Sequence, residues 1–261
     1  MKITLFALFL SVAFFSCKQE KSEKTYTPRA LTADDSFNET TKSKDDALKS
    51  LKIDSGIKEG DVFVLTFKDT AILIKDAPKP LANRFYQPRF MNTQKTAALV
   101  QVADSSGLVS PFYIVALRNG MPEVVKLDRP SNGANDRKIT VGLQEISLST
   151  LLINNDYVIT TINGRVYPVK RQSESERIQG RFIVNSADKS TLVFATENSL
   201  YQVNYKTGET FNLPVSAETL NPRTLVNNIQ QNYSWQKNTN GTLFLKENDD
   251  DKIVDISEFK K

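Results

Sequence analysis

The sequence predicts an all-β domain built from repeated hairpins. From Asp61 onward, short runs rich in β-branched and aromatic residues alternate with turn residues, which is the pattern of short antiparallel strands. Five turn dipeptides separate paired runs: Asp69-Thr70, Asn119-Gly120, Asn163-Gly164, Asn198-Ser199 and Asn248-Asp249. Their spacings of 50, 44, 35 and 50 residues bracket the roughly 40 to 50 residues of a propeller blade. We therefore predict a β-propeller-like array of about five hairpin units, with a β-sandwich or an open meander as the alternative.

The two Asn-Gly dipeptides, Asn119-Gly120 and Asn163-Gly164, carry the strongest turn signal. Both central residues of a type I′ hairpin turn have positive φ, which asparagine and glycine tolerate best. Strands are predicted before the five turns at 62–67, 112–117, 157–162, 192–196 and 243–245, and after them at 71–74, 124–127, 166–169, 200–203 and 253–256. The intervals leave room for further strands at 97–103 and 139–143.

One helix interrupts the predicted strands. Asn221 can cap a helix and Pro222 suits its first position, because proline has no amide hydrogen to lose there. Leu225, Ile229 and Tyr233 then recur at intervals of four residues, which places them on one helical face. We predict a short helix near 221–233 that packs on one side of the β domain.

The first 16 residues have the composition of a secretory signal peptide. Lys2 supplies one positive charge, and the apolar run at 3–15 is too short to span a membrane. Ser16-Cys17 at the end of this run resembles the lipobox of bacterial lipoproteins. The resemblance implies cleavage before Cys17 and acylation of that residue, which would anchor the protein to the lipid bilayer. The alternative is an ordinary leader, with Cys17 left as a free thiol or removed.

Residues 17–46 are predicted to hold the lipidated cysteine and a flexible tether. They are rich in Lys, Glu, Thr, Ser and Asp and show no apolar periodicity, so they offer little surface to bury. Leu48 and Leu51 share a helical face before Gly56, which predicts a short helix where the tether ends. The remainder, 47–261, is predicted to be the β-rich globular domain.

The stretch from Thr196 to Glu209 resembles the repeat of bacterial periplasmic β-propellers, both sensor-type and quinoprotein-like. The resemblance implies that Tyr201 and Val203 pack between blades, while Thr207-Gly208 turns the chain. It implies no catalytic residue and no cofactor.

The absence of histidine restricts the chemistry of this chain. It excludes Ser-His-Asp and Cys-His catalysis and histidine-ligated zinc, whereas carboxylate, lysine or tyrosine chemistry remains open. Cys17 is the one cysteine, so an internal disulfide and a cysteine metal cluster are excluded as well. The formal net charge is +4, with basic and acidic residues interspersed, and nucleic acid is not a predicted partner. We predict no cofactor and no metal.

Two aromatic clusters are candidate ligand-binding residues. Tyr233 and Trp235 lie on the same side of an extended segment and can present paired rings to a sugar or peptide. Arg84, Tyr86 and Arg89 combine charge and aromatic surface in a proline-flanked stretch, which suits an anionic polymer or a protein partner. The alternative is that both clusters only pack: the first in the core, the second along a long connection.

These observations predict a membrane-anchored envelope lipoprotein whose β domain binds a protein or a glycan rather than catalysing a reaction. Lys18 after Cys17 is compatible with the outer membrane, and a periplasmic or surface-facing orientation stays open. One alternative is a carboxylate-dependent glycan hydrolase on a propeller scaffold, which requires a buried pair of acidic residues. The other is a structural subunit of an envelope complex, which requires a large exposed apolar patch.

Overall fold

The computed structural model describes residues 22–39, 49–55, 62–77, 81–102 and 111–248. The predicted signal peptide, Cys17 and the predicted strand at 253–256 lie outside these residues. Within them the chain is mostly β, as predicted. In chain order the first ten strands are β1 (Glu23–Tyr26), β2 (Arg29–Ala30), β3 (Leu51–Ser55), β4 (Val62–Phe67), β5 (Thr70–Lys75), β6 (Leu81–Ala82), β7 (Phe85–Phe90), β8 (Ala97–Val102), β9 (Phe112–Arg118) and β10 (Met121–Leu127).

The second half of the described chain continues in the same way. A helical turn, α1 (Asp136–Ile139), precedes β11 (Leu143–Ser147), β12 (Thr150–Ile153), β13 (Tyr157–Thr160), β14 (Arg165–Pro168), β15 (Arg181–Asn185), β16 (Thr191–Ala195), β17 (Ser199–Asn204) and β18 (Thr210–Pro214). Helix α2 (Leu225–Asn232) then leads into β19 (Tyr233–Lys237) and β20 (Leu243–Glu247).

The first sheet has ten strands and curls into a half-barrel. Its main path runs β5-β4-β7-β8-β9-β10, with β3 paired to β4 and β6 paired to β5. Strand β1 pairs in parallel with β5, and β2 pairs in parallel with β10. Because only Thr27 and Pro28 separate β1 from β2, residues 23–30 join the two ends of this path.

The next two sheets are four-stranded antiparallel meanders. The second sheet has the order β11-β12-β13-β14, the third has the order β15-β16-β17-β18, and a hairpin of β19 and β20 follows. Each strand is paired with its neighbour in the chain, which short turns allow in antiparallel sheets. Among these turns, the one from β17 to β18 contains Gly208 at φ +74°, a conformation that suits glycine.

The sheets pack face to face in chain order. Successive strand residues point to opposite faces, so a strand buried on both faces is a continuous apolar run. In β12, Leu151 and Ile153 join the core against the first sheet, whereas Leu152 joins the core against the third. Tyr201 and Val203 of β17 lie in that same core between the second and third sheets.

Two of the five predicted hairpin turns, Asn119-Gly120 and Asn163-Gly164, lie in turns as predicted. Ser199 of the predicted Asn198-Ser199 turn is instead the first residue of β17, and Asp249 lies outside the described residues. Asn119 and Gly120 have φ values of 53° and 74° between β9 and β10, as a type I′ turn requires. The β4–β5 turn lies one residue earlier than predicted, at Lys68 and Asp69. Thr70 instead begins β5 opposite Phe67, because a β-branched residue is unfavourable at positive φ.

The predicted helix near 221–233 is present as α2, but it begins at Leu225. The Asn221 side chain accepts a hydrogen bond from the Arg223 amide at 3.0 Å, which forms a turn before the helix rather than its cap. The predicted helix that included Leu51 is wrong for the described part: Leu51–Ser55 is strand β3. Pairing with β4 and complete burial of Leu51 outweigh the local helical pattern.

Residues 22–39 also differ from expectation, because they are part of the folded domain rather than a flexible tether. We call them the N-terminal strap. They contribute β1 and β2 to the first sheet, and Phe37 is 4% exposed in the core between the first and second sheets. The Phe37 amide donates to the Gly164 carbonyl at 2.8 Å. Backbone pairing of this kind depends little on side-chain composition, which explains why a polar segment can join a sheet.

Candidate functional site

An open groove of about 610 Å³ lies between the first and second sheets, and we call it the Arg89 groove. Strand β7 and the β7–β8 turn form one wall, and β11 with the β11–β12 turn forms the other. The β13–β14 connection and the N-terminal strap complete it. The residues that line it are Asn38, Arg89, Phe90, Met91, Asn92, Thr93, Gln94, Glu145, Ser147, Leu148, Leu151, Thr161 and Ile162.

The groove exposes two apolar side chains at its rim. Leu148 is fully exposed at the β11–β12 turn, and Ile162 is 77% exposed at the β13–β14 connection. The Thr161 amide donates to the Ser149 carbonyl at 2.9 Å, which holds the two turns side by side. Neighbouring exposed apolar side chains beside a groove are typical of an interaction surface.

An ion pair crosses the groove from the first sheet to the second. Arg89 of β7 pairs with Glu145 of β11, and the two side chains are 41% and 55% exposed. Exposed pairs of this kind contribute only about 0–1 kcal/mol to stability, because water competes for both charges. Both groups can therefore exchange this contact for charged groups of a ligand at little cost to the fold.

The first-sheet wall of the groove is held in place by Asn92. Its side-chain amide donates to the Phe37 carbonyl at 3.2 Å and to Thr96 Oγ1 at 2.7 Å. Its side-chain oxygen accepts from the Thr96 amide at 3.0 Å. These bonds tie the β7–β8 turn to the N-terminal strap, so the wall is formed before any ligand binds.

A second depression, of about 490 Å³, lies at the junction of the α1 region with the third sheet, and we call it the polar depression. Most of its lining residues carry an amide, a hydroxyl or a charge: Asn135, Lys138, Ile139, Gln172, Gln179, Thr196, Glu197 and Asn198. Gln179 donates to Asp136 Oδ1 at 2.7 Å, which fixes its side chain. Amide groups that donate and accept on one surface suit hydroxyl-rich ligands.

A buried ionic cluster centred on Asp156 stabilises the connections near the polar depression. The Asp156 carboxylate is 2% exposed and accepts from Arg171 Nε and Arg177 Nε, both at 2.9 Å. Arg171 also donates to the carbonyls of Pro130 and Arg129 at 2.8 and 3.0 Å. Each charge is therefore paired and hydrogen-bonded, as burial requires. This arrangement cross-links three connections and leaves the carboxylate no open side for a ligand.

The predicted binding residues lie in different places. Arg89 lines the groove, Tyr86 lies partly buried in the same strand, and Arg84 lies just before it. Tyr233 is 7% exposed, and Trp235 is partly buried on the same face of β19 against the core near α2. Ligand binding stays a prediction for all five residues: Arg84, Tyr86, Arg89, Tyr233 and Trp235.

Among the groove residues that were not predicted from the sequence, Glu145, Leu148 and Ile162 carry its charge and its apolar rim. A detectable signal was present, because Ser147-Leu148-Ser149 and Thr161-Ile162-Asn163 each place one large apolar residue among turn residues. A turn needs no apolar side chain, so such a residue suggests a contact outside the local hairpin.

Each of the two depressions is lined by one carboxylate among the described residues, Glu145 in the first and Glu197 in the second. Hydrolysis by a pair of carboxylates needs two such groups on opposite sides of the substrate bond. Across the described ranges, no group of three or more acidic, histidine or cysteine residues is placed to hold a metal ion. Neither described helix is long and apolar enough to cross a membrane.

Comparison with known proteins finds no matching family model, no similar curated protein and no similar solved structure.

Proposed function

We propose that the chain is a lipid-anchored protein of the bacterial cell envelope whose β domain binds a protein partner in the Arg89 groove. The observation that carries the binding proposal is the pair of exposed side chains, Leu148 and Ile162, held together beside the groove. The anchor rests on the resemblance of Ser16-Cys17 and the preceding apolar run to a lipobox.

The geometry favours a protein segment over a small molecule. The groove is open and mixes apolar rim residues with the Arg89–Glu145 pair, which is the composition of an interface with apolar anchors and a charged border. Burying Leu148 or Ile162 in a partner contributes about 1.5–3 kcal/mol each. The partner segment should therefore carry an apolar residue flanked by a charged one.

The test compares two variants of the full chain expressed in its own envelope. Leu148→Ser with Ile162→Ser removes the apolar pair, while Val226→Ser removes an exposed apolar residue on α2, which is 56% exposed. Affinity purification from solubilised envelopes should recover a partner at fixed stoichiometry with the unchanged protein and with Val226→Ser. The double variant should lose that partner. Equal recovery with both variants would refute the groove as the binding site.

A second candidate function is binding of a neutral glycan in the polar depression, favoured by its amide-rich lining. Gln172 and Asn198 line it and can donate and accept hydrogen bonds with sugar hydroxyls. Calorimetric titration with envelope glycan fragments should detect binding that Gln172→Ala together with Asn198→Ala weakens. The absence of heat with any fragment would count against this candidate.

We also propose that the two meanders are blades of a propeller-like array. Each is a four-stranded antiparallel sheet, and the cores between neighbouring sheets follow chain order. A crystal structure in which the sheets surround a common axis would support the proposal, whereas a linear stack would contradict it.

A further inference from the structure

Ser22, five residues after the expected anchor at Cys17, already belongs to the folded domain. The Ala71 amide donates to the Ser22 carbonyl at 2.8 Å, and the Ser22 and Thr70 hydroxyls are 2.9 Å apart. Glu23 is then paired with Ala71 as the first residue of β1. Ser22 is therefore fixed beside the β4–β5 turn, not at the end of a long flexible segment.

Covalent geometry limits how far this end can lie from the bilayer. Cys17 precedes Ser22 by five residues, and an extended chain covers at most about 3.5 Å per residue, which gives about 18 Å. A domain of some 200 residues has a radius of gyration of about 16 Å, so it is roughly 40 Å across. With Cys17 acylated, a condition that rests on the proposed lipid anchor, Ser22 must lie within about 18 Å of the membrane surface, less than half the width of the domain.

Exposed lysines surround this end of the first sheet. Lys68 lies in the β4–β5 turn, and Lys52 is 3.5 Å from Asp69 in that turn. Lys24 follows Glu23 on β1, and the Lys95 carbonyl accepts a hydrogen bond from the Leu51 amide at 2.8 Å. Leu51 is in turn paired with Phe67, the last residue of β4.

The balance of charge at this end is positive. The four lysines there are exposed, and the acidic residues among their described neighbours are Glu23, Glu39 and Asp69. Each lysine close to an anionic membrane surface raises the equilibrium constant for contact with that surface about fivefold. The attraction falls off within about 8 Å at physiological salt. The spacer allows up to about 18 Å, so the lysines themselves must draw this end into contact with the bilayer.

We propose that the β4–β5 end of the first sheet faces the bilayer and that Lys24, Lys52, Lys68 and Lys95 contact anionic lipid headgroups. Gln94, next to Lys95, lines the Arg89 groove. A partner bound in the groove therefore lies close to the membrane surface rather than out in the aqueous space.

The experiment uses the full chain purified from membranes and reconstituted in vesicles of zwitterionic phospholipid with and without anionic phospholipid. Mass spectrometry first determines whether Cys17 carries the lipid. A lipidated Cys17 does not react with thiol labels, so only the introduced cysteine is labelled. A fluorophore on Glu23→Cys or, as the distant control, on Thr207→Cys in the β17–β18 turn then reports energy transfer to an acceptor on the lipid headgroups.

In anionic vesicles we expect stronger energy transfer from position 23 than from position 207. The triple variant Lys24→Glu, Lys68→Glu and Lys95→Glu should weaken that difference, as should high salt. Charge reversal at three exposed lysines elsewhere, Lys170, Lys189 and Lys237, should leave it unchanged.

The outcomes separate the two proposals. If Cys17 is acylated but energy transfer is equal from positions 23 and 207, the proposed orientation is wrong and the lipid anchor still stands. The same conclusion follows if the two triple variants have equal effects. Unmodified Cys17 in the mature protein would overturn the anchor and the orientation with it.

Discussion

Replacing Phe37 by alanine should destabilise the whole domain, because the N-terminal strap is part of its core. Phe37 is 4% exposed and packs among residues of both the first and second sheets. Truncating a buried phenylalanine costs about 3–5 kcal/mol, from lost burial and the cavity left behind. A flexible tether would contribute nothing. The matched control is Leu148→Ala, whose side chain is fully exposed and should change the free energy of unfolding by less than about 0.5 kcal/mol.

The assay is urea unfolding of the soluble chain from residue 18 onward, followed by circular dichroism. A second variant tests the same contact from the other side: a Cβ on Gly164 would lie 2.7 Å from the Asn38 amide nitrogen, and Gly164 has φ +60°. Gly164→Ala should therefore lower stability by displacing the strap. A cost below about 1 kcal/mol for Phe37→Ala would refute the strap as a core element, since burial alone predicts more.

Three further predictions concern charges. The Asp35 side chain is 2% exposed, and although burial raises its pKa, hydrogen bonds from Arg29 and Thr32 lower the pKa to about 2. Because this value lies below that of an unfolded aspartate, its contribution to stability is present above about pH 4 and is lost as pH falls toward 2. Asp35→Asn should flatten this part of the stability curve, and an unchanged curve would contradict the assignment. Burial raises the pKa of Tyr157, Tyr201 and Tyr205 to about 12. Between about pH 10 and 12 these three phenols ionise in the unfolded chain but not in the folded one, so stability should fall by about 1.4 kcal/mol per pH unit for each. A rise of phenolate absorbance near pH 10 in the folded protein that is lost when the three tyrosines are replaced by phenylalanine would exclude this. Asp156→Ala leaves the buried Arg171 guanidinium without its carboxylate partner and should cost about 3–5 kcal/mol in urea unfolding, whereas a cost near zero would show that water solvates it.

The strands could be predicted where two local signals agree. Asn119-Gly120 combines a turn that requires positive φ with apolar runs on both sides, and both strands are confirmed. Helix α2 followed from the apolar spacing of Leu225 and Ile229, both of which are buried. Local backbone preference and burial favour the same structure in these segments.

The N-terminal strap could not be predicted, because its structure depends on distant partners. Glu23 is paired with Ala71 and Arg29 with Val125, and nothing in the local sequence specifies either partner. The polar composition of the strap correctly predicts that it has little apolar surface to bury. It does not predict whether the backbone of the strap pairs with the edge of a sheet.

The candidate site was predictable only in part for the same reason. Arg89 stands out in the sequence as a basic residue among aromatic ones. Its partner Glu145 and the apolar residues Leu148 and Ile162 belong to another sheet. The local sequence of one hairpin turn carries no information on which other turn lies beside it.

The most direct test of the proposed function is site-specific photo-crosslinking in living cells. A photoreactive amino acid replaces Leu148 in the groove or, as the control, Val226 on α2. We predict a discrete crosslinked envelope protein from position 148, which is lost when Arg89→Glu and Ile162→Ser are added, and no such product from position 226. The same product from both positions, or none from position 148, would contradict binding in the Arg89 groove.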